Sequence, residues 1–312
     1  MRHFFATILA FFFLASPCLS QGSAGGQGIY ITEEVQLRLG DVFFSEGEYY
    51  RAITEYRKFA ILFPASDKGD YALFRTGLAS YLGEEYADAA RIFSLLRRDY
   101  PGSEFRDPSL FFEAIARWRK KDYQEAESLF DQLAKDGSTS GFAPRASAAK
   151  AMLELDMDDV NGARAELERF LVSFPGHAGE LDVREALSLL DGYEHLPRKS
   201  EILAGILSAI LPGSGYVYAG RYGDGLTAFL LNGLFIAGTV MAVQNQWYPA
   251  AGLTGGIGLP FYLGNIYGSA NAAARWNASV KKEARAGIAL RLDPIIDSKG
   301  VPAPVYGSGT PR

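Results

Sequence analysis

Three histidines, one cysteine and two closely spaced glycines are the residues of this chain from which chemistry could be built. His3, His177 and His195 would have to converge to hold a metal, and nothing in their spacing gathers them: one sits in the first residues and two in polar inter-helix stretches. Cys18 has no second cysteine to pair with, so it says nothing about redox compartment. Gly213 and Gly215 lie inside an apolar segment, where they serve either a phosphate cradle or a helix break with close packing. No nucleophile elbow, P-loop or dinucleotide-binding glycine pattern follows a strand-like run. The chain therefore reads as a non-enzyme: no catalytic residue, no metal and no cofactor is expected.

The elements that would position any site come from a repeat. Ala52, Ala89, Ala126 and Ala163 recur every 37 residues, and four residues after each stands a bulky apolar side chain, Tyr56, Phe93, Phe130 or Leu167. Twelve residues before each alanine is another small residue, Gly40, Gly77, Ala114 or Ala151, and twelve after it come Pro64, Pro101, Ser138 and Pro175. Each unit predicts two amphipathic helices joined by a polar turn and stopped by proline. The small residues let the paired helices approach, and the aromatics fill the space between successive pairs. The expected fold is all-α, a helical solenoid with repeats near 33–66, 70–103, 107–140 and 144–177 and a capping helix over 180–194, within a domain of 31–195.

These offsets resemble the tetratricopeptide repeat, which places small residues, an aromatic and a closing proline in this order. The common form has 34 residues, and the three extra here follow the proline, as in Pro64-Ala65-Ser66-Asp67-Lys68. The longer unit, with its FPAS and YPGS endings, is similar to periplasmic repeat proteins related to outer-membrane-assembly lipoproteins and cell-division coordinators. The third repeat has Ser138 in place of the closing proline, and the fourth has Val160 where the others carry Tyr49, Tyr86 and Tyr123. In that family, peptide-contacting positions lie on the first helices. The matching residues here are Leu37, Phe74 and Phe111 in one row and Phe44, Tyr81 and Trp118 in another. The resemblance implies a concave site for an extended peptide or partner helix, while aromatic stripes at this spacing equally serve as core.

From Ile202 to Ala274 only Arg221 and Asp224 are charged. Apolar runs over 202–219, 226–243 and 248–270 predict three membrane spans in a domain of 200–275, the first of them either a full span or a re-entrant, broken helix. Asn232, Asn265 and Asn271 are expected to bond between spans, and the pairs Gly252/Gly256 and Gly264/Gly268 to permit close helix contact within the chain or between copies. Arg221 and Asp224 bracket a short loop at the membrane interface. The stretch LPGSGYVYAGRYGDGLTAFLLNG and the later GNIYGSANAAARWN resemble a small bacterial membrane domain that follows repeat regions.

Residues 1–20 read as a secretory signal: Arg2 and His3, an apolar run to Leu14, then small residues before a cut after Ser20. Pro17 and Leu19 around Cys18 fit a lipidation motif poorly. A flexible leader, 21–30, precedes the repeats. Three spans after a signal would leave the repeats in the periplasm and return 276–312, a basic and partly disordered tail, to the cytoplasm; Arg275, Lys281, Lys282 and Arg285 stand where the positive-inside rule wants them. A net charge of −5 without a basic face excludes nucleic acid as a partner. The expected function is a protein-binding scaffold of the bacterial envelope, anchored in the inner membrane, with an envelope protein or peptide and the lipid bilayer as partners and oligomers possible. The alternatives are an accessory factor of outer-membrane assembly or cell division, and a regulatory component of a small membrane transporter.

Overall fold

The computed structural model describes residues 30–135 and 141–297; the expected signal peptide, nearly all of the leader and the last residues of the tail lie outside them. Among the described residues there are thirteen helices. Five alternate-helix steps form the solenoid: α1 (Glu33–Ser45) with α2 (Tyr49–Leu62), α3 (Gly69–Leu82) with α4 (Tyr86–Asp99), α5 (Arg106–Arg119) with α6 (Tyr123–Lys135), α7 (Phe142–Asp156) with α8 (Val160–Ser173), and α9 (Glu180–Glu194) alone.

The repeat's small residues act where the spacing placed them. A Cβ on Gly40 would stand 2.5 Å from the Tyr56 ring, and one on Gly77 would stand 2.6 Å from the Phe93 ring. Ala52, Ala89, Ala126 and Ala163 are all fully buried, as are Phe93 and Leu167. Phe63, Tyr100 and Phe174, each directly before a proline, leave the helical region, with φ between −126° and −129°. That is the restriction proline places on the residue preceding it, and it ends α2, α4 and α8. The turn inside each pair carries one left-handed residue in the same register, Gly47, Glu84, Lys121 and Asp158.

Beyond the solenoid come α10 (Glu201–Ile210), α11 (Ser214–Tyr218), α12 (Tyr222–Gln244) and α13 (Tyr248–Ile296). Here three points bear on the expected spans. Of the two forms expected for the first apolar run, the broken helix is the one found: α10 has 10 residues, about 15 Å of helix against a hydrocarbon core of roughly 30 Å. Pro212 cannot continue α10, and Gly213, at φ 88°, turns the chain into α11. The close-packing reading of Gly213 and Gly215 holds, since Cβ atoms there would fall 2.1 Å from the Gly225 carbonyl oxygen and 2.0 Å from that of Ala204. Second, α12 is the one described helix long and apolar enough to cross a membrane, with mean hydropathy 2.0. Third, α13 does not stop near residue 270. It runs 49 residues without a break, and its last four turns return to the solenoid instead of forming a separate tail.

α12 and the first half of α13 form an antiparallel hairpin, with Phe235 stacked on Phe261 at 5.4 Å and the Thr239 hydroxyl 3.0 Å from that of Thr254. Within the chain, the contact face is not the one that the Gly252/Gly256 spacing would give. Cβ atoms on Gly252, Gly256 and Gly264 would meet nothing within 4 Å, whereas one on Gly258 would lie 2.8 Å from Phe235 Cβ. Gly268 does allow a close approach, with the Tyr216 hydroxyl only 1.9 Å from its would-be Cβ. The phase is set by Phe235 and Phe261, whose rings demand a smooth facing surface. Asn265 works between segments: its side-chain oxygen accepts from the Gly213 N–H at 3.0 Å and its amide donates to the Ser208 carbonyl at 3.1 Å. Asn232 does not; its amide donates back to the Ala228 carbonyl of its own helix at 2.8 Å.

Candidate protein-docking groove

The first helices line one side of the solenoid, and most of the two rows expected there lie beneath its surface. Leu37, Phe74 and Phe111 are at most 1% exposed, and Phe44 and Tyr81 at most 8%. They form core: Phe74 stacks on Phe105 at 4.9 Å, and Tyr81 meets Phe112 at 5.7 Å. Burial leaves these five side chains no area to offer a partner, which corrects their reading as direct contacts. Trp118 is half-buried, and its indole N–H donates to Asp156 at 2.7 Å.

What fills the groove is the chain itself. The last turns of α13 lie across the first helices α7 and α9. Ile288 and Leu292 are fully buried there, with Ile295 and Ile296 nearly so, and all four join the core of the solenoid. Their spacing of four and three residues along α13 is that of an amphipathic helix seated in a groove. Gly179 makes room, since a Cβ there would fall 2.5 Å from Ile295 Cδ1.

Charge completes the fit. Lys281 bonds Asp158 at 2.8 Å, Arg291 bonds Glu185 at 3.0 Å, and Arg285 pairs with Asp156. Trp118, Asp156 and Arg285 thus form one chain of contacts from the third repeat to α13. Arg145 closes the far end: its guanidinium donates to the Ile296 carbonyl at 2.9 Å and to that of Asp297. The same guanidinium lies 5.0 Å from the Phe111 ring centroid and 4.7 Å from that of Phe142. Burial holds the Arg145 pKa below the ordinary arginine value, with Asp297 acting in the opposite sense. A cation at a helix C-terminus meets the carbonyl end of the dipole, where it is favoured.

The expected rows therefore point to the right groove through the wrong atoms. Glu185 stands in register with Leu37, Phe74 and Phe111, two repeats on, and it is this polar member that touches the docked helix. Sequence reasoning missed the partner segment, although Lys281, Arg285, Ile288, Leu292 and Ile295 repeat at intervals of four and three. The three cations at 281, 285 and 291 satisfy carboxylates of the solenoid, so their position does not report a side of the membrane.

Comparison with known proteins bears on one unit of the solenoid. Residues 71–103 match the model of the tetratricopeptide repeat. The second helix pair is thus similar to a tetratricopeptide repeat. That stretch is α3 from Tyr71 on, α4 and the closing turn, one unit of the helical solenoid. Repeats of this family serve protein–protein interaction. A tetratricopeptide repeat protein from Parabacteroides merdae is similar in structure, with 14% identity, a TM-score of 0.43, and coverage of 82% of this chain and 98% of that one. No curated protein matches the chain. Among the described residues no group of His, Cys, Asp and Glu could hold a metal ion.

One buried acid near the groove bears on pH. Glu154, on α7, is 7% exposed, and burial, then Glu127, push its carboxyl pKa up, with Asp159 and Glu166 adding and Lys150 opposing. In the window between an ordinary carboxylate value and the raised one, the folded chain holds more protons than the unfolded chain, so this group's contribution to stability falls as pH rises through that window. Glu154→Gln is expected to raise the melting temperature at neutral pH and to flatten its decline above the ordinary carboxylate range. Thermal melts of the two proteins across acidic to neutral pH check this.

Proposed function

We propose that the protein is a membrane-anchored adaptor whose solenoid is fixed at one end to a two-helix membrane hairpin and open to a protein partner at the other. The observation that carries the reading is the contrast between the two ends. At the C-terminal end α9 is covered by α13. At the N-terminal end, among the described residues, α1 presents Val35, Leu39 and Val42 at 54%, 41% and 44% exposure, a stripe at helical spacing that the next unit of a solenoid would cover.

The hairpin supports the anchor. Leu226, Leu230, Leu234, Met241, Leu253 and Leu263 are all more than half exposed, and only 11% of the apolar window of α12 is buried. Apolar surface of this extent on two adjacent helices needs a bilayer or a partner to cover it. α12 alone has the length and hydropathy of a span; the first half of α13, packed antiparallel against it, supplies the return crossing, which puts residues 281–296 on the same side as the solenoid, as their contact requires, and with an exported N-terminus that side is the periplasm. The cytoplasmic tail and the three-span count are replaced by this arrangement. The partner belongs to the same compartment, the bacterial envelope.

Photo-crosslinking in intact cells tests the reading. A crosslinker at Leu39 is expected to capture a discrete protein that one at Leu189, beside the docked helix, does not. Identical capture profiles at both positions, or none at Leu39, would remove the open end as the docking surface.

A further inference from the structure

A cleft of about 530 Å³ opens between α12 and α13 on the solenoid side of the hairpin. Arg221, Asp224 and Arg275 line it together with Thr227, Asn232 and Asn265, and Leu231, Pro260 and Phe261 supply apolar wall. Arg221 is neutralised by its pairing with Asp224. Arg275 has no ion pair or hydrogen bond among the described residues, which leaves the cleft one net positive charge. A second, independent feature lies within it. Asn232 is 3% exposed, its amide is committed to Ala228, and its side-chain oxygen has no donor. Leaving a buried acceptor unmade costs about 1–3 kcal/mol, a cost that a ligand hydroxyl or amide N–H removes.

A cation near the water boundary, apolar wall and a deep acceptor, in that combination, suit an amphiphile. We propose that this cleft binds an anionic membrane lipid, its phosphate at Arg275 and a hydroxyl or amide N–H of its interfacial region on Asn232. A soluble anion has no use for the apolar wall, and a zwitterionic lipid would bring its own cation towards Arg275. The site would tie the adaptor to anionic patches of the bilayer and fix the hairpin's height in it. It rests on the membrane reading of the hairpin.

The test is native mass spectrometry of the full chain released from nanodiscs of phosphatidylcholine containing equal minor fractions of phosphatidylglycerol and lysophosphatidylglycerol, the second carrying a free backbone hydroxyl. The wild-type chain is expected to retain both anionic lipids over phosphatidylcholine, and the lyso form most. Arg275→Gln should lower anionic retention about fivefold, the change that corresponds to about 1 kcal/mol per basic side chain at a bilayer surface. Asn232→Leu should abolish the preference for the lyso form and keep the rest. Unchanged retention in Arg275→Gln overturns the site, as does displacement of the lipid by millimolar inorganic phosphate, which would assign it to a free anion. An unchanged lyso preference in Asn232→Leu overturns the role of Asn232. Failure of the chain to enter nanodiscs at all would instead strike the membrane reading, so the two failures are distinguishable.

Discussion

Ile288→Asp combined with Leu292→Asp is expected to release the end of α13 from the groove while the first two repeats stay folded. Both side chains are fully buried against the solenoid, and burying an aliphatic side chain of this size contributes about 1.5–3 kcal/mol. The substitution forfeits that contribution twice and would require two carboxylates to be desolvated beside Asp156, Asp158 and Glu185, so the docked state cannot form. Because units of a solenoid contact only their neighbours, the loss should stay local. Amide exchange should speed up over α7, α9 and 281–296, and a protease should cut within 281–296, with α1 to α4 protected as before. Global unfolding, or an unchanged pattern, would contradict the docking.

The second large effect concerns the glycine of the second repeat. Gly77→Ala would ordinarily stabilise a helix by about 1 kcal/mol, yet here it is expected to destabilise by about 1 kcal/mol net, because the new Cβ would meet three ring atoms of Phe93 at 2.6 to 2.9 Å. The ring cannot yield: Phe93 is fully buried, with Phe74 at 5.9 Å on one side and Phe112 at 6.0 Å on another. Overpacking of this kind costs about 1–3 kcal/mol before the propensity gain is counted. Gly192→Ala is the control, since a Cβ there meets nothing within 4 Å; its melting temperature should rise. Equal shifts in the two variants would mean that the glycine–aromatic contact does not set the helix spacing.

These contrasts show where the sequence was legible. The solenoid was readable because an alanine followed by a bulky apolar side chain recurs four times in register, with the closing proline in three of the four units, so local propensity and long-range packing agree. The hairpin's existence was readable from composition, but its contact face was not: a glycine pair at a four-residue interval fits many faces, and Phe235 with Phe261 chose another. The groove was half legible. Aromatics at first-helix positions signalled an important face, but burial depends on how tightly successive first helices close, which one repeat cannot reveal. Lys281 and Arg285 admit two readings, because a charge rule and a docking stripe make the same demand on composition. Only the apolar positions between them, Ile288, Leu292 and Ile295, distinguish the two.

The central claim is that the solenoid and the end of α13 share one side of the membrane and touch there. Asp158 and Lys281, whose side chains meet at 2.8 Å, report it directly. With Cys18 replaced by serine, Asp158→Cys together with Lys281→Cys should oxidise in intact membranes to an internally crosslinked chain, and both cysteines should react with an impermeant maleimide added from the same side. Labelling of the two from opposite sides, with no crosslink, would contradict the account.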